Sequence, residues 1–188
     1  MKNLKTITLA LFVAVSTLAT AQTKKIDATK SSVTWLAKKV TGSHEGTVKL
    51  KEGSLTFKAA KLVGGTFTVD VAALEVTDLK AGQGKEKLEG HLTSDDFFGT
   101  EKYPTATLVF KTIKAKTKTT YTVTADLTIK DVTSPITFTL TVGKNVATTK
   151  LVIDRTKFGI KYGSGSFFDN LGDKTINDNF DVNVSLAF

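Results

Sequence analysis

Between residues 22 and 188 most apolar side chains recur at every second position, and the positions between them hold mostly threonine and lysine. A period of two places alternate residues on opposite faces of a pleated strand, and β-branched threonine suits that surface. Val33, Trp35 and Ala37 share one face of the first clear strand, and Val48 and Leu50 one face of the next. Gly53 is expected to turn the chain into a further strand with Leu55 and Phe57 aligned. After Gly64-Gly65, Phe67, Val69 and Val71 alternate with Thr66, Thr68 and Asp70. The alternation returns in 106–110, 121–129, 136–142 and 151–153, and ends with Phe180, Val182, Val184, Leu186 and Phe188 on one face. This spacing predicts an all-β fold of about eight antiparallel strands joined mostly by short turns, close to the number at which a barrel holds one small ligand.

Residues 80–98 lose the period of two and set Leu88 and Leu92 four apart. That predicts a short helix lying across one barrel end as a cap or lid. Ser94 is expected to N-cap the turn that follows it. At the start of the chain, Lys2 and Lys5 precede an apolar run from Ile7 to Leu18 and the small residues Ala19-Thr20-Ala21. Residues 1–21 therefore read as an export signal cleaved after Ala21, too short to span a bilayer, which leaves 22–188 as one domain, periplasmic or secreted.

Charge narrows the picture. Without Lys2 and Lys5 the formal charge falls from +8 to +6. The lysines are scattered, apart from Lys111, Lys114, Lys116 and Lys118, which read as a hairpin end. No stripe of arginine with stacking aromatics is present, so nucleic acid is not an expected partner. A solubilising surface is the leading reading of the lysines, and transient contact with a membrane surface a lesser one. The chain has no cysteine, which removes thiolate catalysis, iron–sulfur clusters and cysteine-based zinc sites. His44 and His91 stand in no metal-ligand spacing, and neither a metal nor a cofactor is expected.

The inward faces either fill the barrel or line a cavity, and the periodicity leaves both open. If there is a cavity, Trp35, Phe57, Phe67, Phe110, Phe138 and Leu140 are the strand candidates for its wall, with Phe97 or Phe98 closing one end.

Three segments, residues 91–110, 127–138 and 153–180, together with the opening 26–40, resemble the YceI-like family of exported lipid-binding proteins in sequence and order. The resemblance covers essentially all of residues 24–188. It implies a lipocalin-like antiparallel barrel around a long apolar tunnel for polyisoprenoid chains, isoprenoid quinones or fatty amphiphiles. One departure stands out: the family usually has an Arg-Asp pair before its His-Leu, whereas Leu88-Glu89 precede Gly90-His91-Leu92 here. Glu89 keeps an acid, and the contact made by the missing arginine is not carried over.

Four polar residues are candidates for a mouth or lid: Glu89, His91, Asp154 and Arg155. Arg155 is the only arginine, a planar fork suited to a carboxylate or a polar headgroup. An ion pair with Asp154, Asp169 or Asp173 that pins the loop is the stronger reading of it, ahead of ligand contact. His91, near Glu89, Asp95 and Asp96, reads as a brace for the lid rather than an acid–base catalyst, because no partner nucleophile is evident. Gly163–Ser166 lacks the lysine of a phosphate loop and reads as a tight turn. The expectation is a non-catalytic carrier of an isoprenoid or similar amphiphile. An outer-membrane structural barrel is the alternative, and an enzyme acting on a bound lipid a weaker one.

Overall fold

Between Thr120 and Ile129 the alternation is complete: Tyr121, Val123, Ala125, Leu127 and Ile129 are buried, and the residues between them are not. The same rule, repeated around a closed sheet, builds the whole fold. The structure is a computed structural model that describes residues 20–188. Positions 1–19, which hold most of the expected export signal, lie outside the described residues. The strands are β1 (Ala21–Lys25), β2 (Asp27–Lys39), β3 (Gly42–Lys58), β4 (Lys61–Val76), β5 (Thr105–Ala115), β6 (Thr120–Ile129), β7 (Val132–Val142), β8 (Val146–Asp154) and β9 (Ile176–Ala187), with one helix, α1 (Lys85–Thr93).

Every pairing is antiparallel, from β2 through β3 to β9, and β9 returns to β2 to close the ring. Strand β1 pairs with the far half of β3, from Ala21↔Lys58 to Lys25↔Ser54, while β2 pairs with its near half. The two therefore share one position in the wall, interrupted at Ile26, whose N–H donates to the Gly53 carbonyl at 2.9 Å. The result is an eight-position barrel with no free edge.

Gly53 does not turn the chain. It lies within the unbroken β3 opposite Phe67, and a Cβ there would meet the Phe67 ring at 2.6 Å. Trp35 lies in the same way over Gly46, and Phe110 over Gly65, each with a ring atom 2.6 Å from where the Cβ would stand. A missing side chain thus makes room for a large ring and lets the strand curve. The reversal comes instead at Ala59-Ala60, where φ values of 48° and 62° are those of a two-residue type I′ turn. Alanine carries none of the usual Asn-Gly signal for such a turn, so the sequence pattern concealed it.

Because antiparallel hairpins alternate ends, the connections separate into two sets. One end, the base, is closed by the β3–β4, β5–β6 and β7–β8 turns. The other, the lid end, carries α1 between β4 and β5 and the long β8–β9 connection with its two 3-10 turns, Arg155–Phe158 and Gly172–Lys174. Leu88 and Leu92 of α1 pack against the core, as the spacing of four predicts. The turn expected after Ser94 forms, with the Phe97 N–H donating to the Ser94 carbonyl at 3.1 Å, but the Ser94 hydroxyl does not cap it: the hydroxyl and N–H both donate to the His91 carbonyl, at 2.8 and 3.2 Å, and end α1. Outward positions are mostly polar, Val63, Val109 and Val152 apart, with hydroxyl pairs between β6 and β7 such as Thr124–Thr137 at 2.9 Å and Thr128–Thr133 at 2.8 Å.

Fifteen of the 23 lysines of residues 22–188 are spread over the walls and the lid end, and the other eight share one end. Lys24 and Lys25 on β1, Lys58 and Lys61 beside the β3–β4 turn, Lys114, Lys116 and Lys118 at the β5–β6 turn, and Lys144 in the β7–β8 turn all gather at the base.

Candidate ligand-binding cavity

The barrel interior is hollow. A cavity of about 190 Å³ runs from Leu140 and Leu186 on the base side to Leu92, Phe97, Phe98 and Ile160 beneath the lid, and its wall is almost entirely carbon. Val123 and Leu55 are fully buried, as inward residues of a filled core are. By contrast Val69, Leu108, Phe110, Phe180 and Val184 face inward yet keep exposed surface, which they turn to the empty space. Nothing fills that space from the protein side, so these carbons lack the contacts that a close-packed interior supplies.

Of the expected wall residues, Trp35, Phe67, Phe97, Phe98, Phe110, Phe138 and Leu140 line this cavity. Phe67, Phe110 and Phe138 form a run of touching rings, with centroids 5.5 and 5.9 Å apart. Phe57 does not belong to the wall. Strand β3 outruns the cavity, and Phe57 pairs with Phe188 at 6.1 Å in a separate hollow at the base, with the Lys24 ammonium over both rings. The cavity also uses Leu151, Ile153, Phe180 and Val182. Their alternation in the sequence already placed them on inward faces. Ile160, in the irregular β8–β9 connection, carried no such signal.

The polar candidates are held by the protein itself. Arg155 is 4% exposed and lies at the lid-end edge of the cavity wall. Its Nε donates to the Asn177 carbonyl at 3.1 Å, Nη1 to those of Ile160 at 3.0 Å and Tyr162 at 2.8 Å, and Nη2 to that of Ile176 at 3.0 Å. Nη2 also faces the Asp178 carboxylate at 3.5 Å. The ion-pair partner is therefore Asp178, and not Asp154, Asp169 or Asp173. Proximity in sequence favoured those three, but the start of β9 folds back over the arginine. Burial pulls the Arg155 pKa below its ordinary value, and the charges of Asp178 and Asp154 oppose that pull. Burial likewise works to raise the pKa of Asp178, yet the Ser164 and Ser166 hydroxyls and the Arg155 charge outweigh it and hold it below the usual carboxylate value. Asp154 caps the turn beginning at Arg155, accepting from the Thr156 N–H at 3.0 Å and its hydroxyl at 2.6 Å.

Glu89 and His91 do not line the cavity. Glu89 accepts from the Val76 N–H at 2.8 Å, which ties α1 to the end of β4, and Lys85 bridges from Glu75 at 2.7 Å towards Glu89 at 3.8 Å. His91 contacts Asp96 at 3.4 Å and sits edge-on to Phe97 and Tyr162, with ring centroids 4.9 and 4.5 Å away. Lys85 and Tyr162 thus share in the lid, and neither stood out in the sequence. Among the described residues no group of three His, Cys, Asp or Glu side chains converges as metal ligands would.

A closed antiparallel barrel around an apolar cavity, with one helix across its end, is the architecture of small lipocalin-like binding proteins. The YceI-like domain model matches residues 25–188, and the chain belongs to that family. Among curated relatives, a UPF0312 protein of Pseudomonas putida (strain W619) is 34% identical over 96 residues, which are 51% of this chain and 47% of that one. A UPF0312 protein of Shewanella denitrificans is 34% identical over 86 residues, 46% and 42% of the two chains. This chain thus spans about half the length of the curated relatives it matches. Among solved structures, Burkholderia cenocepacia BcnA superposes with a TM-score of 0.70 at 26% identity, covering 87% of this chain and 99% of that one. A polyisoprenoid binding domain from Saccharophagus degradans, implicated in plant cell wall breakdown, superposes with a TM-score of 0.60 at 16% identity, covering 86% and 95%. That second likeness shows the fold alone.

Proposed function

We propose that this protein is an exported, non-catalytic carrier that holds an isoprenoid, either a polyprenyl chain or an isoprenoid quinone, or a similar amphiphilic lipid in the barrel cavity. The observation that carries the reading is the hollow, carbon-lined interior. A chain of isoprene units offers no hydrogen-bonding groups along its length, so its affinity must come from apolar surface removed from water. At about 25 cal/mol per Å², burying a few hundred Å² yields several kcal/mol before ordering costs are subtracted. The guanidinium of Arg155, committed to four backbone carbonyls, and the position of His91 outside the cavity wall favour binding over turnover. Outward faces that are mostly polar, with only isolated valines, favour a water-surrounded barrel over one embedded in lipid, whose outward band is apolar. The resemblance of the fold to a polyisoprenoid binding domain supports the choice of ligand class.

Organic extraction of the purified protein followed by mass spectrometry tests the proposal. A copurified isoprenoid or fatty amphiphile near one per chain is the expected result. An empty protein that also takes up no added quinone or polyprenol would overturn it. Amino-terminal sequencing of the exported protein checks the cleavage site, with Gln22 expected first.

A further inference from the structure

We infer that the base of the barrel is a docking face for an anionic phospholipid bilayer. Eight lysines stand there, and among the described residues none is in an ion pair. The segments that form this end, residues 21–26, 54–66, 112–124, 138–149 and 182–188, contain no Asp or Glu. Asp27, which follows β1, is already held by Lys30 at 3.0 Å. The lid segment, residues 77–104, instead sets six acidic side chains against four lysines. Residues 22–188 carry a formal +6, once Lys2 and Lys5 are set aside from the +8 of the chain. Eight charges at the base exceed that total, so the remainder of the domain is net negative. The positive charge of this protein is a property of one end.

The arrangement selects the partner. Seven of the eight lysines are exposed, and they are spread over three turns and β1 around a rim, too far apart in the fold for one small anion to meet them all. A flat anionic surface meets them together. Lysine is a hydrated point charge suited to such adsorption, whereas two-pronged capture of a single phosphate or carboxylate calls for arginine, and the base has none. Single-stranded nucleic acid would need free aromatic faces, and the base rings of Phe57 and Phe188 lie under the Lys24 ammonium. Docking in this way stands the barrel axis across the membrane surface, with the Phe57–Phe188 pair between bilayer and cavity and the lid pointing away. The inference holds whatever occupies the cavity.

Vesicle flotation tests it, using phosphatidylcholine alone and phosphatidylcholine with about one third phosphatidylglycerol. The protein is expected to float with the anionic vesicles only, and to be released by salt. Each lysine neutralised near the surface lowers partition roughly fivefold, so K114Q/K116Q/K118Q is expected to lose roughly a hundredfold. The lid-end variant K38Q/K39Q/K157Q, with the same formal charge, is expected to keep wild-type binding, and K58Q/K61Q supplies a second base variant should the first fail to fold. No binding of the wild type to anionic vesicles, equal loss in base and lid-end variants, or full binding by the base variants would each overturn the inference. So would binding to soluble polyglutamate without binding to vesicles, which would mark an acidic protein partner instead.

Discussion

The two ends of this barrel solve opposite problems. At the lid end, long connections bring polar groups over an apolar cavity, and each is tied down: Arg155 to four carbonyl contacts, Glu89 to the Val76 N–H, Asp154 to Thr156. At the base, short turns close the wall and their lysines are left without carboxylate partners. Where backbone must cross the mouth of a cavity without strand pairing, side chains supply the missing hydrogen bonds. Where hairpins pair to their tips, little such service is needed, as where the Thr117 hydroxyl accepts from the Thr119 and Thr120 N–H groups, and charge is free to face outward.

The largest way to break this contrast is Arg155→Ala. It strips a buried guanidinium from four contacts to carbonyl oxygens, and is expected to cost about 3–5 kcal/mol in urea unfolding. Hydrogen exchange should localise the loss to residues 155–178, with base strands keeping their protection relative to global unfolding. A smaller effect is expected from Gly46→Ala. Its new methyl group would collide with the Glu75 carbonyl oxygen and with the Trp35 ring. A loss of about 1–3 kcal/mol in thermal unfolding is expected, with a changed near-ultraviolet tryptophan signal.

At the base, replacing Ala59-Ala60 with Asn-Gly relieves two residues held at positive φ. A gain of about 1–2 kcal/mol is expected in urea midpoints, with binding to vesicles unchanged. The smallest effect concerns pH. The folded pKa of Asp178 is lowered, so its stabilising contribution is present above the ordinary carboxylate value, about 4, and is lost as pH falls through the folded value. Acid should therefore loosen the β8–β9 connection before the base, seen as faster amide exchange in residues 160–178. In Asp178→Asn that acid-dependent step should disappear.

The barrel was legible because alternation is a local signal repeated in every strand. Tyr121 to Ile129 announces its buried face without reference to any other residue. The same logic placed Trp35, Phe67, Phe110 and Phe138 on inward faces. It misplaced Phe57 because alternation fixes the face but not the depth along the axis. Gly53 was misread since a glycine beneath an aromatic ring and a glycine in a turn look alike until the cross-strand neighbour is known. The partner of Arg155 depends on how a 21-residue connection folds back, and Asp178 is more distant in sequence than the acids that seemed natural. That the lysines at one end have almost no acidic neighbours was likewise invisible until strand order assigned each turn to its end.

Trp35 is the single tryptophan of the chain, 7% exposed, set in the cavity wall over Gly46. The protein thereby carries its own optical reporter at the place where a guest would lie. Emission from an unlabelled sample reads that one environment without deconvolution, and a quinone seated against the indole would quench it. Occupancy can thus be followed in real time, on vesicles or in solution, with nothing added to the molecule.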